Sequence, residues 1–106
     1  MSSRDEHESK LQAWFIDEAT RLGMIAYKTV APGRRGWPDV LVAFNYYVCL
    51  VEIKAASTPL EPQQKSLHKK LGAHIDVYVA RGREQAATVL RRITLLGYPK
   101  VKGVCA

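Results

Sequence analysis

The 106-residue chain reads as an α/β protein of order α-β-β-β-α-β-α, with a four-stranded mixed sheet flanked by helices. Three observations predict this. Segments whose apolar residues recur at helical spacing alternate with short β-rich runs. Glycines and prolines punctuate most of the junctions between them. The length, with 47% hydrophobic and 25% charged residues, fits one small domain over 1–106 with a modest core, and argues against a second domain and against native disorder.

Ser3 and Glu6 have the spacing of a capping box, and Leu11, Phe15, Ala19 and Leu22 then recur at helical intervals until Gly23 offers a stop. Met24 to Val30 is expected as a strand. The following segment, Ala31 to Pro38, holds two glycines, two prolines and two arginines, which suits a basic loop rather than regular structure. Asp39 to Phe44 and Tyr47 to Lys54 are β-rich runs joined by a tight break, hence a hairpin. Pro62 suits the first turn of a helix to Leu71, with Gly72 as terminator. Ile75 to Ala80 alternates as a strand. Glu84 to Leu96 is a helix with Ala86, Val89, Leu90, Ile93 and Leu96 as its apolar stripe and Arg91 and Arg92 outward.

Sixteen basic residues oppose ten acidic ones, for a formal charge of +6, and the excess lies in the second half. Such a surplus fits a polyanion, nucleic acid before an anionic membrane surface, without fixing the chemistry. The apolar run Val48–Val51 is too short to span a bilayer, and the polar start is unlike a secretory or transit signal. Cys49 and Cys105 have neither metal-ligand spacing nor the makings of a disulfide framework, so a reducing, cytoplasmic setting is expected.

The hairpin carries the chemistry. With its turn centred between Asn45 and Tyr46, Phe44 faces Tyr47 and, further along, Asp39 faces Glu52. Opposed side chains have Cβ atoms about 4.5 to 5.5 Å apart, and like charges so placed destabilise a sheet. Lys54 falls on the same face, diagonal to Asp39. Val48, Cys49, Leu50 and Val51 are apolar on both faces, as in a strand covered on both sides, so the charged group emerges from a buried strand. Two readings fit: a divalent cation held between Asp39 and Glu52 by the hard oxygen ligands Mg²⁺ prefers, or a salt bridge from Lys54 to one carboxylate at an exposed sheet end.

Pro38-Asp39 followed thirteen residues later by Glu52-Ile53-Lys54 resembles the PD-(D/E)xK signature of the restriction-endonuclease-like nucleases. More narrowly, the chain resembles the VRR-NUC branch, in its small stand-alone phage and prophage form. The likeness runs over about residues 6 to 80. It is carried by Glu8-Ser-Lys-Leu-Gln12, Leu22-Gly23, Ala26-Tyr27-Lys28, Pro32 to Asp39, Val51 to Ala55, and Leu60 to Gln64 leading to Leu71-Gly72.

The resemblance implies DNA phosphodiester hydrolysis with Mg²⁺ or Mn²⁺ and no organic cofactor, in a bacterial or phage-infected cell. Asp39, Glu52 and the main-chain carbonyl of Ile53 would be metal ligands, and Lys54 would orient or help deprotonate the attacking water. An acidic residue from the first helix is expected as well: Glu8, with Glu18 as the alternative. Gln64 matches the family glutamine. Lys28, Arg34 and Arg35 before the site, and Lys65, Lys69 and Lys70 after it, are candidate phosphate contacts. Trp37 reads as packing, and His68 and His74, which lack a ligand spacing with the carboxylates, as structural. The likeness of stand-alone members to archaeal junction resolvases implies branched DNA and a homodimer, since symmetric cleavage needs two sites. Leu95, Leu96, Tyr98 and Val101 are the expected contact. A monomeric nuclease on nicks, flaps or linear DNA, and a non-catalytic basic DNA-binding domain, are the competing readings.

Overall fold

The computed structural model describes residues 3–29 and 36–97, with side chains from His7 onward. Along the chain run α1 (Ser3–Arg21), β1 (Ile25–Lys28), β2 (Val40–Phe44), β3 (Tyr47–Lys54), α2 (Pro62–Leu71), β4 (Asp76–Arg81) and α3 (Gly82–Leu96), the order and class expected. The capping-box side chains, Arg34, Arg35, Tyr98, Val101 and Cys105 lie outside the described residues.

Helix α1 buries Phe15 and Ala19 completely. It ends in a Schellman motif: Gly23, at φ +88°, donates its N–H to the Thr20 carbonyl, and the Met24 N–H reaches the Ala19 carbonyl, both at 3.0 Å. Because Met24 completes that cap, β1 begins at Ile25, one residue later than expected.

Strands β1, β2 and β3 are antiparallel neighbours, and α2 is the crossover that brings β4 parallel to β3, giving the sheet order β1-β2-β3-β4. The β2–β3 register runs from Phe44↔Tyr47 to Val40↔Val51, as the turn position requires. Asn45 (φ 45°) and Tyr46 (φ 69°) both take left-handed conformations, as in the type I′ turns that match hairpin twist.

Alternation along the strands sorts the two faces. Val40, Val42, Cys49, Val51, Ile53 and Ala80 turn to one side, where they join Phe15 and Ala19 of α1 and Ala86, Val89, Leu90 and Ile93 of α3 in the core. On the opposite side lie Leu41, Leu50, Val77 and Val79 and, at the end of β3, Glu52 and Lys54. Cys49, Leu50 and Val51 are buried as expected, whereas Val48, next to the turn, is 42% exposed. Strand β4 sits one residue beyond its expected span. Helix α3 starts two residues early, because Gly82 at φ +79° lets the chain turn directly from strand to helix. Among the described residues no helix is long and apolar enough to cross a membrane.

Candidate active site

Proline 38 is fully buried and Asp39 stands one residue before β2, just past the last hairpin pair. Its carboxylate bends over the end of the sheet, where Oδ2 accepts the backbone N–H of Ile53 at 2.8 Å. Glu52 and Lys54 project from the same face of β3 and are only 2% and 8% exposed. Among the described residues Lys54 has no carboxylate within ion-pair distance, so the simple salt bridge that the sequence allowed is not formed.

Glu52 is the electrostatic centre. Burial pushes its carboxyl up to about 9, and Asp39, within hydrogen-bonding reach, pushes in the same direction; Lys54 opposes them and Glu8 adds to them. Its Oε2 accepts the Gln64 amide N–H at 3.3 Å. Its Oε1 is buried without a hydrogen-bond partner. A buried carboxylate facing a second carboxylate, with an oxygen left unmatched, fits a positive charge placed between them. Among the described residues no three His, Cys, Asp or Glu side chains converge on one point. The two facing carboxylates are hard oxygen donors, the type that Mg²⁺-class cations take.

The two first-helix candidates separate clearly. Glu8 Oε1 accepts the backbone N–H of Ala55 at 3.1 Å, immediately after Lys54. Glu18 is instead bound to the Arg21 guanidinium one turn on, which holds its carboxyl below the usual range.

Helix α2 lies over the carboxylates because of a close approach to the loop before Asp39. Gly36, at φ +92°, sits so near the helix N-terminus that a Cβ there would lie 2.7 Å from the Gln63 carbonyl oxygen and 3.0 Å from the Gln64 nitrogen. Gln64 is also locked locally, its Oε1 accepting the Glu61 N–H at 2.8 Å in the reciprocal manner of a capping box. One turn later His68 reaches the cluster, with Nε2 3.5 Å from Glu52 Oε1. Burial lowers the His68 pKa; Asp39 and the adjoining Gly36 backbone favour its protonated form, and Lys54 disfavours it.

His68 is thus a site neighbour that sequence reasoning set aside as structural. The available signal was its i+4 spacing from Gln64 on one helix face. Arg81, beside Lys54 in the parallel ladder, was also missed; its guanidinium donates to the Thr58 carbonyl and ties the loop before α2 to β4. His74 is exposed and away from this group. Trp37 is half-buried, with its indole N–H enclosed and unpartnered among the described residues.

The basic candidates fall unevenly around the site. Lys65, Lys69 and Lys70 are exposed on α2, the helix that carries Gln64 and His68. Lys28 is exposed at the end of β1 and pairs with Val40, so by alternation it shares the helix-covered face rather than that of Glu52. At the far end of the sheet the Tyr47 hydroxyl donates to Asp76 and lies 2.7 Å from the Tyr78 hydroxyl, remote from the carboxylates.

No family model matches the chain. Over 67 residues it is 42% identical to "Putative nuclease p44" of Acyrthosiphon pisum secondary endosymbiont phage 1, a match covering 62% of this chain and 72% of that protein. Its fold is similar to a solved VRR_NUC domain, with a TM-score of 0.72 at 25% identity over 80% of this chain and 95% of the other. Sequence and fold converge, and the chain belongs to the VRR-NUC family of nucleases.

Proposed function

We propose that this protein is a divalent-metal-dependent DNA endonuclease, using Mg²⁺ or Mn²⁺, that acts as a homodimer on four-way junctions. The observation that carries the reading is the buried Glu52, apposed to Asp39 and left with an unmatched oxygen, beside a Lys54 that has no ion-pair partner among the described residues. Such a group is costly in an inert protein and is resolved by a cation.

In this reading Asp39, Glu52 and the Ile53 carbonyl hold the ion. When bound, it supplies positive charge against the scissile phosphate and lowers the pKa of a coordinated water. Lys54 would orient the attacking water and help to deprotonate it. Glu8 anchors the chain after Lys54 through the Ala55 N–H and adds negative charge to the ion's surroundings. Gln64 fixes the Glu52 carboxylate from above. Lys65 and Lys69 hold substrate phosphates beside the carboxylates, and Lys28, Arg34 and Arg35 remain candidate phosphate contacts from the sequence, so that DNA affinity is salt-dependent. Leu95, 84% exposed at the end of α3, belongs to the proposed dimer contact.

The test is incubation with Mg²⁺ or Mn²⁺ and labelled synthetic junctions, nicked duplex, flaps and linear duplex, with Asp39→Asn and Lys54→Ala alongside. Junction cleavage by the wild type, lost in both variants, is the expected result. Equal cleavage by all three would defeat the site assignment. Cleavage confined to nicks, flaps or linear duplex, or a strict monomer in sedimentation, would defeat the junction assignment.

A further inference from the structure

Resting on the reading of this protein as a nuclease on DNA, we propose that the recess at the β2–β3 turn is a nucleobase subsite, where the Tyr46 ring stacks on an unpaired base of the substrate.

The recess, of about 600 Å³, is lined by Tyr46 and Val48 of the hairpin and by the turn from Gly72 to Asp76 that follows α2. Both sides are held in place. The N–H groups of Gly72, His74 and Ile75 bond back to the His68 and Leu71 carbonyls at 2.8 to 2.9 Å, and the Tyr47 hydroxyl donates to Asp76, joining the hairpin to β4. A pocket that is already formed keeps the cost of ordering on binding low.

Tyr46 is 61% exposed and sits at φ 69°, at the second central position of the turn. Type I′ turns are best served there by Gly, so the turn itself does not call for an aromatic residue. Bulky residues held in the left-handed region cluster where a chain meets its ligand. Val48 is open beside the turn, and by alternation it shares the face of β3 that carries Glu52.

The topology ties this recess to the carboxylates. Because β4 is parallel to β3, α2 must run back from the Glu52 end of β3 to its hairpin end. Gln64 and His68 approach Glu52 near its start, Lys65 and Lys69 stand exposed along it, and its C-terminal turn lines the recess. A strand whose phosphates follow those lysines is led from the carboxylates toward Tyr46. The five residues of β3 from Tyr47 to Glu52 span roughly 17 Å, the length of about five stacked nucleotides.

The lining selects a base rather than a phosphate. Among the described residues neither Lys nor Arg lines the recess, and the exposed Asp76 carboxylate repels an anion. The same carboxylate can accept an exocyclic amino group. The Tyr46 and His74 rings can stack on any base, since every base has a π-face. Paired DNA keeps those faces stacked within the helix, so the subsite favours DNA with unpaired nucleotides.

Fluorescence anisotropy in the Asp39→Asn background, which prevents cleavage, compares a duplex carrying a gap of several nucleotides with the same duplex made continuous. In parallel, 5-iodouracil placed in the unpaired segment crosslinks on irradiation to the ring it stacks on, and mass spectrometry maps the residue. The crosslink is expected at Tyr46. Tyr46→Gly suits the turn and so keeps the fold; it should weaken binding of the gapped DNA on the order of tenfold, leave the continuous duplex unchanged and abolish the crosslink. Tyr46→Trp, which restores a stacking ring, should bind gapped DNA as the parent does. Equal weakening for both DNAs, no weakening for either, or a crosslink that maps away from the recess would overturn the inference and leave the DNA reading standing. Failure of the parent to bind either DNA would overturn both.

Discussion

The Asp39 carboxylate accepts the Ile53 backbone N–H at 2.8 Å, so one oxygen of a site acid finishes the β2–β3 pairing that the ladder itself leaves at Val40↔Val51. In the proposed function Asp39 has both a structural and a chemical task, and substitutions can part them.

Asp39→Asn keeps an acceptor for Ile53 and removes the charge. It is expected to leave stability nearly unchanged while lowering nuclease turnover on the order of a hundredfold or more. Asp39→Ala removes the acceptor as well, and is expected to cost about 1 to 3 kcal/mol in addition to activity. Urea denaturation alongside a cleavage assay checks both. Equal stability of the two variants would show that the Ile53 hydrogen bond contributes nothing.

A second prediction concerns pH. The Glu52 carboxyl is raised from 4.5 to about 9 by burial and by Asp39. Between those values the folded protein keeps a proton that the unfolded chain has released. The Glu52 contribution therefore makes the metal-free protein most stable below about pH 4.5, less stable as pH rises through the window, and level above about 9. Glu52→Gln should remove this slope and be the more stable protein at pH 8. Denaturation midpoints for both proteins across pH 5 to 9, with chelator present, give the comparison. Parallel curves would mean that Glu52 is ionised in the folded state.

How far the site was legible in the sequence depends on the range of the contacts involved. The hairpin register follows from a turn at Asn45 and Tyr46, and alternation then puts Glu52 and Lys54 on one face, so the core of the site could be read from local rules. Helix α2, bounded by Pro62 and Gly72, was equally local. Choosing Glu8 over Glu18 relied on family resemblance, because both lie on one helix and only the packing of α1 against the end of β3 brings Glu8 to Ala55. The nearness of His68 to Glu52 was not legible for a similar reason. Its approach to Glu52 depends on how a crossover helix settles on the sheet, and that is fixed by the contact of Gly36 with the backbone of Gln63 and Gln64, which no spacing rule encodes.

That contact gives a third prediction. Gly36→Ala meets two penalties: a left-handed conformation costing roughly 1 to 2 kcal/mol for a residue with a side chain, and a Cβ 2.7 Å from the Gln63 carbonyl oxygen. The helix must move, and Gln64 and His68 move with it. The expected result is a lower Tm together with weaker Mn²⁺ binding, followed by thermal denaturation and calorimetry. Gly23→Ala is the control, for it carries a similar positive φ with open space around the added carbon. It should lower Tm and leave metal affinity alone.

The last prediction concerns the lysines of α2. Lys65 and Lys69 are exposed beside the turn that carries Gln64 and His68 to Glu52, so each phosphate they neutralise should release condensed counterions. For duplex DNA the logarithm of the binding constant falls against that of salt concentration with a slope of about 0.9 per phosphate contacted. Lys65→Ala and Lys69→Ala should each reduce the slope by roughly that amount and weaken binding equally for unrelated sequences, because phosphate contacts carry no base information. Neither change touches the carboxylates, so Mn²⁺ affinity should be unaltered. Fluorescence anisotropy over a salt series, with Asp39→Asn as the background to prevent cleavage, measures the slopes. If the double variant Lys65→Ala/Lys69→Ala keeps the parent slope, the phosphate track runs elsewhere, and the basic loop with Arg34 and Arg35 becomes the segment to substitute.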